Sequence, residues 1–246
     1  MFNPDWIVPD WPAPANARAV ITTRAGGVSA GPYASFNLGY STGDDTQAVR
    51  ANRERLRAML PAEPRWLKQV HGARVVEAES VADGPQADAS TAREPGTVCA
   101  IMVADCLPIL LTDADGSVVA AAHAGWRGLA AGVIDNTIAA MVERGADGRS
   151  LMAYIGPGIG PTAFEVGDDV LEAYTAKDAG AKSAFRPHAQ GKWLADLPSL
   201  ARRTLERCGV ARVYGGDLCT YDNAQRFYSY RRDRITGRMG AFIWRV

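Results

Sequence analysis

The sequence predicts an α+β fold: a single domain over residues 1–246 in which mixed β-sheets are flanked by helices. Three observations carry that expectation. Apolar strand-like runs alternate with amphipathic helical stretches along the chain. Hairpin signals are mixed among them, which argues against a doubly wound parallel sheet. No internal repeat, linker or low-complexity tract divides the chain.

Arg18 to Thr23 reads as a first strand, closed by Gly26-Gly27. After a loop-rich passage, Asp44 or Asp45 caps a helix from about Thr46 to Leu60. Arg50, Arg53 and Arg57 fall on one side of it, the ordinary place for solvated charges. Trp66 to Val70 and Arg74 to Ala78 look like short strands interrupted at His71-Gly72. Asp83 to Gly96 reads as a polar loop without periodicity. Val98 to Val103 is a continuous apolar strand that ends at Asp105-Cys106, and Pro108 argues against a ladder there. Ile109 to Thr112 and Val118 to Ala122 flank Asp113-Ala114-Asp115-Gly116, a hairpin signal. The second run is small and β-branched, as a strand buried on both faces would be.

His123 stands where that strand stops, and Gly125 and Gly128 let the backbone turn. A helix from Leu129 to Glu143 follows, with Leu129, Val133, Ile134, Ile138 and Met141 at helical spacing. Leu151 to Ile155 is another strand. The glycines of Gly156-Pro157-Gly158-Ile159-Gly160-Pro161 do not match a dinucleotide motif; a tight turn is expected, with an anion cradle as the alternative. Asp168 to Tyr174 and Leu197 to Cys208 are helical. Val213-Tyr214, Arg226 to Tyr230 and Ala241 to Trp244 are strand-like.

Composition narrows the function classes. Lys plus Arg and Asp plus Glu number 27 each, so no charge excess points to nucleic acid or an anionic membrane. No apolar run approaches the roughly 20 residues a bilayer span needs. The first residues lack the basic region and apolar stretch of a secretory leader. Cys99, Cys106, Cys208 and Cys219 form no CxxC pair and are expected to be reduced thiols. These features predict a soluble cytoplasmic protein.

His71, Cys106 and His123 each lie at the end, or in an interruption, of an apolar strand. If those ends share one rim, two imidazoles and a thiolate meet there. Such a set suits Zn²⁺ with a fourth position open, as in catalytic zinc sites. It equally suits a Cys106 nucleophile activated by His123, or a buried thiol beside two satisfied histidines. Asp105 reads as an acid/base or ligand-orienting carboxylate, or as the turn residue of the Asp-Cys-Leu-Pro bend. His188 is expected on a surface loop, and Cys219 as a structural thiol.

Several motifs resemble the YfiH family, whose members are labelled laccase-domain, polyphenol oxidase or purine nucleoside phosphorylase. They are Lys68-Gln69-Val70-His71-Gly72, Ala104-Asp105-Cys106-Leu107-Pro108 and His123-Ala124-Gly125-Trp126-Arg127-Gly128. Ile155-Gly156-Pro157, Phe164-Glu165-Val166-Gly167 and Tyr228-Ser229-Tyr230-Arg231-Arg232-Asp233 follow in the same order. The resemblance implies zinc ligated by His71, Cys106 and His123, with copper as the alternative metal. It implies phosphorolysis of adenosine, inosine and methylthioadenosine by a monomer or homodimer, with adenosine deamination as a second activity. It also places Arg53 near substrate or phosphate. Ser41 departs from the pattern, since family members commonly carry a histidine between Asn-Leu-Gly and Gly-Asp.

Chemically, Arg53, Arg127 and Arg231 are the candidate phosphate ligands, because a guanidinium offers paired donors. A multicopper oxidase would need roughly ten histidines, and the chain has 3. The zinc deaminase signature of H-x-E with P-C-x-x-C is absent. Two other classes compete: a Cys106–His123 hydrolase acting on an amide or ester such as a peptidoglycan precursor, and a non-catalytic zinc-binding module.

Overall fold

The structure is a computed structural model that describes residues 2–81 and 84–246. In chain order its elements are β1 (Ala17–Ile21), α1 (Thr46–Arg57), β2 (Val75–Glu77), β3 (Ala89–Ala92), β4 (Val98–Val103), β5 (Leu107–Thr112) and β6 (Val119–Ala124). These are followed by α2 (Trp126–Ala131), α3 (Val133–Glu143), β7 (Met152–Ile155), β8 (Glu165–Gly167), α4 (Asp168–Thr175), β9 (Phe185–Ala189) and β10 (Lys192–Ala195). The chain closes with α5 (Leu197–Arg207), β11 (Arg212–Gly215), α6 (Tyr230–Asp233) and β12 (Met239–Arg245). Short 3-10 turns connect several of them. The fold is α+β with mixed sheets, as the sequence predicts.

A six-stranded sheet runs in the order β11-β7-β5-β6-β3-β2, and a three-stranded antiparallel sheet runs β1-β12-β4. Both strands of the central β5–β6 hairpin are buried at every residue because both their faces are covered. On one face Ile109, Leu111, Ala120 and Ala122 pack with Val133, Ile134 and Ile138 of α3 and with Leu200 and Leu205 of α5. On the other, Leu110, Val119 and Ala121 pack with Ile101 and Val103 of β4 and Ala241 and Ile243 of β12. The alanines of β6 are what let a helix and a second sheet approach the same strand. The far side of the small sheet is closed by Leu56 of α1 against Phe242, Trp244 and Phe36. The layers are therefore helix, sheet, sheet, helix.

Several expectations need correction. The helix expected from Leu129 to Glu143 is broken at Gly132, whose φ of 96° closes α2 and opens α3. The loop expected from Asp83 to Gly96 begins at a residue outside those described, and it contains β3. Ala-Ser-Thr-Ala carries no apolar periodicity, yet all four residues are buried. Pro108 sits inside β5, where it accepts from the Gly156 N–H at 2.8 Å. In a strand the N–H and C=O of one residue point to the same side. The donor Pro108 lacks would thus face Gly156, just past the end of β7, so its absence leaves the pairing with β6 intact. Trp66 to Val70 makes only an isolated bridge at Lys68. Arg226 to Tyr230 is no strand; the Phe227 N–H turns back to the Asn223 carbonyl at 3.0 Å, and Ser229 caps α6. A third sheet, β8-β10-β9, has strands too short and too polar to announce themselves.

Gly132→Ala tests the break between α2 and α3. Space exists for a Cβ there, the nearest atom being the Asp135 Oδ2 at 3.6 Å, so the cost is backbone strain alone. The variant should lose about 1–2 kcal/mol in urea unfolding. A continuous helix would instead gain about 1 kcal/mol from the same change.

Candidate functional site

The site is built around Asp88, which has no solvent exposure and which nothing in the sequence singled out. Its Oδ1 accepts the His71 N–H at 2.9 Å and lies 2.8 Å from the Nδ1 of His123. Its Oδ2 accepts the N–H groups of Gly72 at 2.8 Å and Val70 at 3.2 Å. Its carbonyl accepts the His123 N–H at 2.7 Å. One residue thus fastens the 70–72 turn to the end of β6. Burial would raise the Asp88 carboxyl, but His123 and the N–H groups of Gly72 and Val70 outweigh it and hold the pKa below the usual range. Nδ1–H of His123 is then the donor to Asp88, which turns Nε2 toward Cys106 and His71.

Gln69 fixes the same turn from its other end. Its amide donates to the Met102 carbonyl and accepts the Met102 N–H, both at 2.8 Å, so it pairs with β4 as a strand residue would. His71 adopts a φ of 60° and Asp105 a φ of 95°, both in the left-handed region. Asp105 is held there by Thr220, whose hydroxyl donates to Oδ1 at 2.7 Å, and by the Arg231 N–H, which donates to Oδ2 at 2.6 Å. With both oxygens engaged, Asp105 aims the next residue, Cys106, into the site.

The ligand atoms of His71, Cys106 and His123 lie within 4.8 Å of one another. The two imidazoles meet edge to face at 4.8 Å between centroids. Gly125 is glycine because a Cβ there would stand 2.8 Å from the Cys106 Sγ and 3.1 Å from the His71 Cδ2. Burial opposes ionisation of the Cys106 thiol, but the charge and hydrogen bond of His123, then those of His71, bring it down to about 6. Burial likewise opposes a charged His123, yet the Cys106 thiolate and Asp88 push it up to about 9. Cys99 shows the contrast: with burial dominant, its thiol is pushed up to about 12.

The trio opens into a cavity of about 820 Å³. The three sequence-predicted arginines line it but differ in availability. Arg53 is stacked between Tyr40 and Trp66, its guanidinium carbon 4.4 and 3.8 Å from the ring centroids. That placement departs from the solvated charge expected on α1. Arg127 is exposed and lies over Trp126 at 4.4 Å. Arg231 donates to the Glu165 carbonyl at 2.8 Å and lies 5.2 Å from the Phe164 ring centroid. Ser41 also lines the cavity, and so does Arg238, which sequence reasoning missed.

The remaining candidates lie elsewhere. His188 is on the exposed edge strand β9, not a loop, 3.5 Å from Glu165. Cys219 is partly buried and accepts the Gly160 N–H at 3.2 Å. The glycine-rich 156–161 turn makes no anion cradle, because Gly156, Gly158, Ile159 and Gly160 all donate within the protein.

A family profile described as "Multi-copper polyphenol oxidoreductase laccase" matches residues 18–246. The chain belongs to this family. Among its relatives, a purine nucleoside phosphorylase of Pseudomonas aeruginosa is 51% identical over 97% of this chain and 98% of that one. The purine nucleoside phosphorylase YfiH of Escherichia coli is 50% identical over 98% of each. A Neisseria meningitidis protein of known structure superposes with a TM-score of 0.94 at 50% identity, covering 98% of this chain and 99% of the other. YlmD of Geobacillus stearothermophilus superposes with a TM-score of 0.84 at 32% identity, covering 94% and 92%. The family's oxidase description finds little support in the site. Among the described residues, the trio is the one His, Cys, Asp and Glu cluster arranged to hold a metal.

Asp88→Ala strands buried N–H groups and should cost at least about 2 kcal/mol in urea unfolding. The better-tolerated Asp88→Asn should still weaken metal retention by about 10–100-fold, measured by competition with a chromogenic chelator. In metal-free protein, iodoacetamide should alkylate Cys106 with half-maximal rate near pH 6. The rate falls below that pH as the thiolate is protonated, while the buried thiol of Cys99 stays inert. A Cys106 profile centred on the ordinary thiol range would contradict the thiolate–imidazolium pair.

Proposed function

We propose that the chain is a purine nucleoside phosphorylase with inosine, adenosine and methylthioadenosine as substrates. The observation that carries this reading is one cavity joining the His-Cys-His trio to guanidinium and aromatic side chains. Tyr40, Trp66, Trp126, Phe164 and Tyr230 offer flat faces on which a purine stacks. The arginines offer forked donors for a phosphate. Relatives that match nearly the whole chain carry the same name.

Phosphorolysis is redox-neutral. A phosphate oxygen bonds to C1′ of the ribose as the C1′–N9 bond breaks, and the departing purine takes the electron pair and a proton. The protein must hold the phosphate in line, keep water out and stack the base. The guanidiniums and the aromatic walls that line the cavity support this reading of those tasks. His71, Cys106 and His123 fit Zn²⁺ by donor type: two imidazoles, one with its tautomer fixed by Asp88, and a thiol that ionises near pH 6. When bound, zinc supplies Lewis acidity, the chemistry that hydrolytic loss of ammonia from adenosine would draw on. Copper is the alternative metal. The four unpaired cysteines accord with work in a reducing cytoplasm.

One observation favours a second reading. Cys106, His123 and Asp88 stand in the order thiol, imidazole, carboxylate, the arrangement of a thiol nucleophile with an oriented base. That reading makes the chain a hydrolase of an amide or ester, such as a peptidoglycan precursor.

Product analysis separates the two. Inosine should give hypoxanthine and ribose 1-phosphate, at a rate that rises and saturates with phosphate, and Cys106→Ala should abolish it without unfolding the protein. Free ribose, released at a rate indifferent to phosphate, would reassign the chain to hydrolysis. No base release, with a covalent acyl adduct on Cys106 in mass spectra of ester-treated protein, would favour the thiol hydrolase.

A further inference from the structure

We propose that Arg238 and Arg53 together form the subsite that holds inorganic phosphate beside the trio. The inference rests on the phosphorolytic reading above and adds to it a residue that no motif in the sequence marks. Arg238 lies between Gly237 and Met239, at the mouth of β12, in a stretch the sequence offers only as the approach to a strand.

Both arginines are anchored to one turn. The Arg53 Nε donates to the Leu38 carbonyl at 2.9 Å, and the Leu38 N–H donates to the Arg238 carbonyl at 3.1 Å. The Arg238 N–H donates to the Asn37 Oδ1 at 2.8 Å. Asn37 is fully buried, and its amide also donates to Asp44 at 3.0 Å and Thr42 at 2.8 Å. The two guanidinium groups are therefore brought to the same end of the cavity by a shared, rigid scaffold.

Each has donors left over. Arg238 gives its Nη1 to the carbonyls of Thr236 at 3.0 Å and Gly237 at 2.9 Å, while among the described residues its Nε and Nη2 have no protein partner. Arg53 keeps its Nη1, and its Nη2 makes only a 3.7 Å contact with the Met102 sulfur. Among the described residues neither arginine forms an ion pair with a carboxylate. Burial pulls both guanidiniums below the usual arginine range. Two half-buried cations in one cavity are costly. Among the described residues Asp105, the Cys106 thiolate and Glu63 act on them only from beyond ion-pair distance, so a bound oxyanion would add the missing direct partner. A tetrahedral oxyanion matches the donors that remain, since guanidinium forks take two oxygens at once. The other arginines lining the cavity are not tied to this turn: Arg127 is exposed over Trp126, and Arg231 gives its Nη1 to the Glu165 carbonyl.

The test uses the purified holoenzyme and two variants, Arg238→Gln and Arg238→Lys, with inosine and inorganic phosphate varied independently. Arg238→Gln should raise the phosphate KM by about tenfold or more while the inosine KM stays within about threefold. Arg238→Lys, which keeps the charge but loses the fork, should fall between. Calorimetric titration with inorganic phosphate alone should show binding in the wild type and its loss in Arg238→Gln. Equal rises in both KM values, or an unchanged phosphate KM, would overturn the subsite and leave phosphorolysis standing. If the wild type releases no base, the titration decides by itself: phosphate binding that depends on Arg238 supports the subsite, and no binding overturns it. Should Arg238→Gln fail to fold, Arg53→Gln and Arg238→Lys carry the same comparison. Inosine 5′-monophosphate is the second arm. Faster base release from it than from inosine, without added phosphate, would assign the guanidiniums to a nucleotide's own phosphate and overturn the proposal.

Discussion

The site depends on one buried carboxylate. Asp88 accepts from three consecutive backbone N–H groups and orients the ring of His123, so it sets the position of both histidines at once. The loop that carries His71 has no strand of its own to fix it. Its rigidity comes from Asp88 on one side and from the pairing of Gln69 with Met102 on the other. Asp105 plays the corresponding part for the thiol, tied to Thr220 and to the Arg231 backbone. Each oxygen of both carboxylates accepts at least one hydrogen bond from the protein. Both act as fasteners, and for Asp105 this matches the orienting and turn readings that the sequence offered beside an acid/base role.

What the sequence made legible were features that repeat or that stand at ends. The apolar runs of β4 and β6 are continuous because both sheet faces are covered, and continuity shows without context. α1 shows its cap at Asp45, and α5 its amphipathic spacing. The trio could be located because each member interrupts or ends such a run. Asp88 could not, because its importance lies in three N–H groups from a turn some sixteen to eighteen residues away in sequence. Only the fold brings those groups to it. Arg238 was hidden for the same reason, and Gly132 because an apolar helical period continues across it while its backbone does not. The weak signal for Asp88 was an acidic residue directly before a short run of small residues, which a hidden buried strand can explain.

The oxidase description of the family and the donor chemistry of this chain pull apart. Two imidazoles and one thiolate make a set for a single metal, and the third histidine sits on the exposed edge of β9. The cavity beyond the trio supplies aromatic faces and cations instead of further imidazoles. Those are groups that bind a flat base and an oxyanion, so the surroundings argue for group transfer more strongly than the ligands alone do. The charge balance of the whole chain hides this, because the local excess of arginine at the cavity is offset by carboxylates elsewhere.

The backbone at the site is held in an uncommon conformation at two residues. His71 and Asp105 both hold positive φ angles, a conformation that residues with a side chain adopt only when their surroundings impose it. Here the surroundings are identifiable. The N–H of His71 is fixed by Asp88, and Asp105 is fixed at both oxygens. Gly125 removes the one Cβ that would push the thiol and the first imidazole apart. In zinc fingers the ligands converge because the ion gathers them, and the chain folds with it. In this protein each ligand-bearing segment also carries hydrogen bonds of the chain itself, between Asp88 and the two histidines and at Asp105 beside the cysteine. A site built that way has its geometry set by the sheet, which is the condition for holding substrate groups in fixed register with the trio.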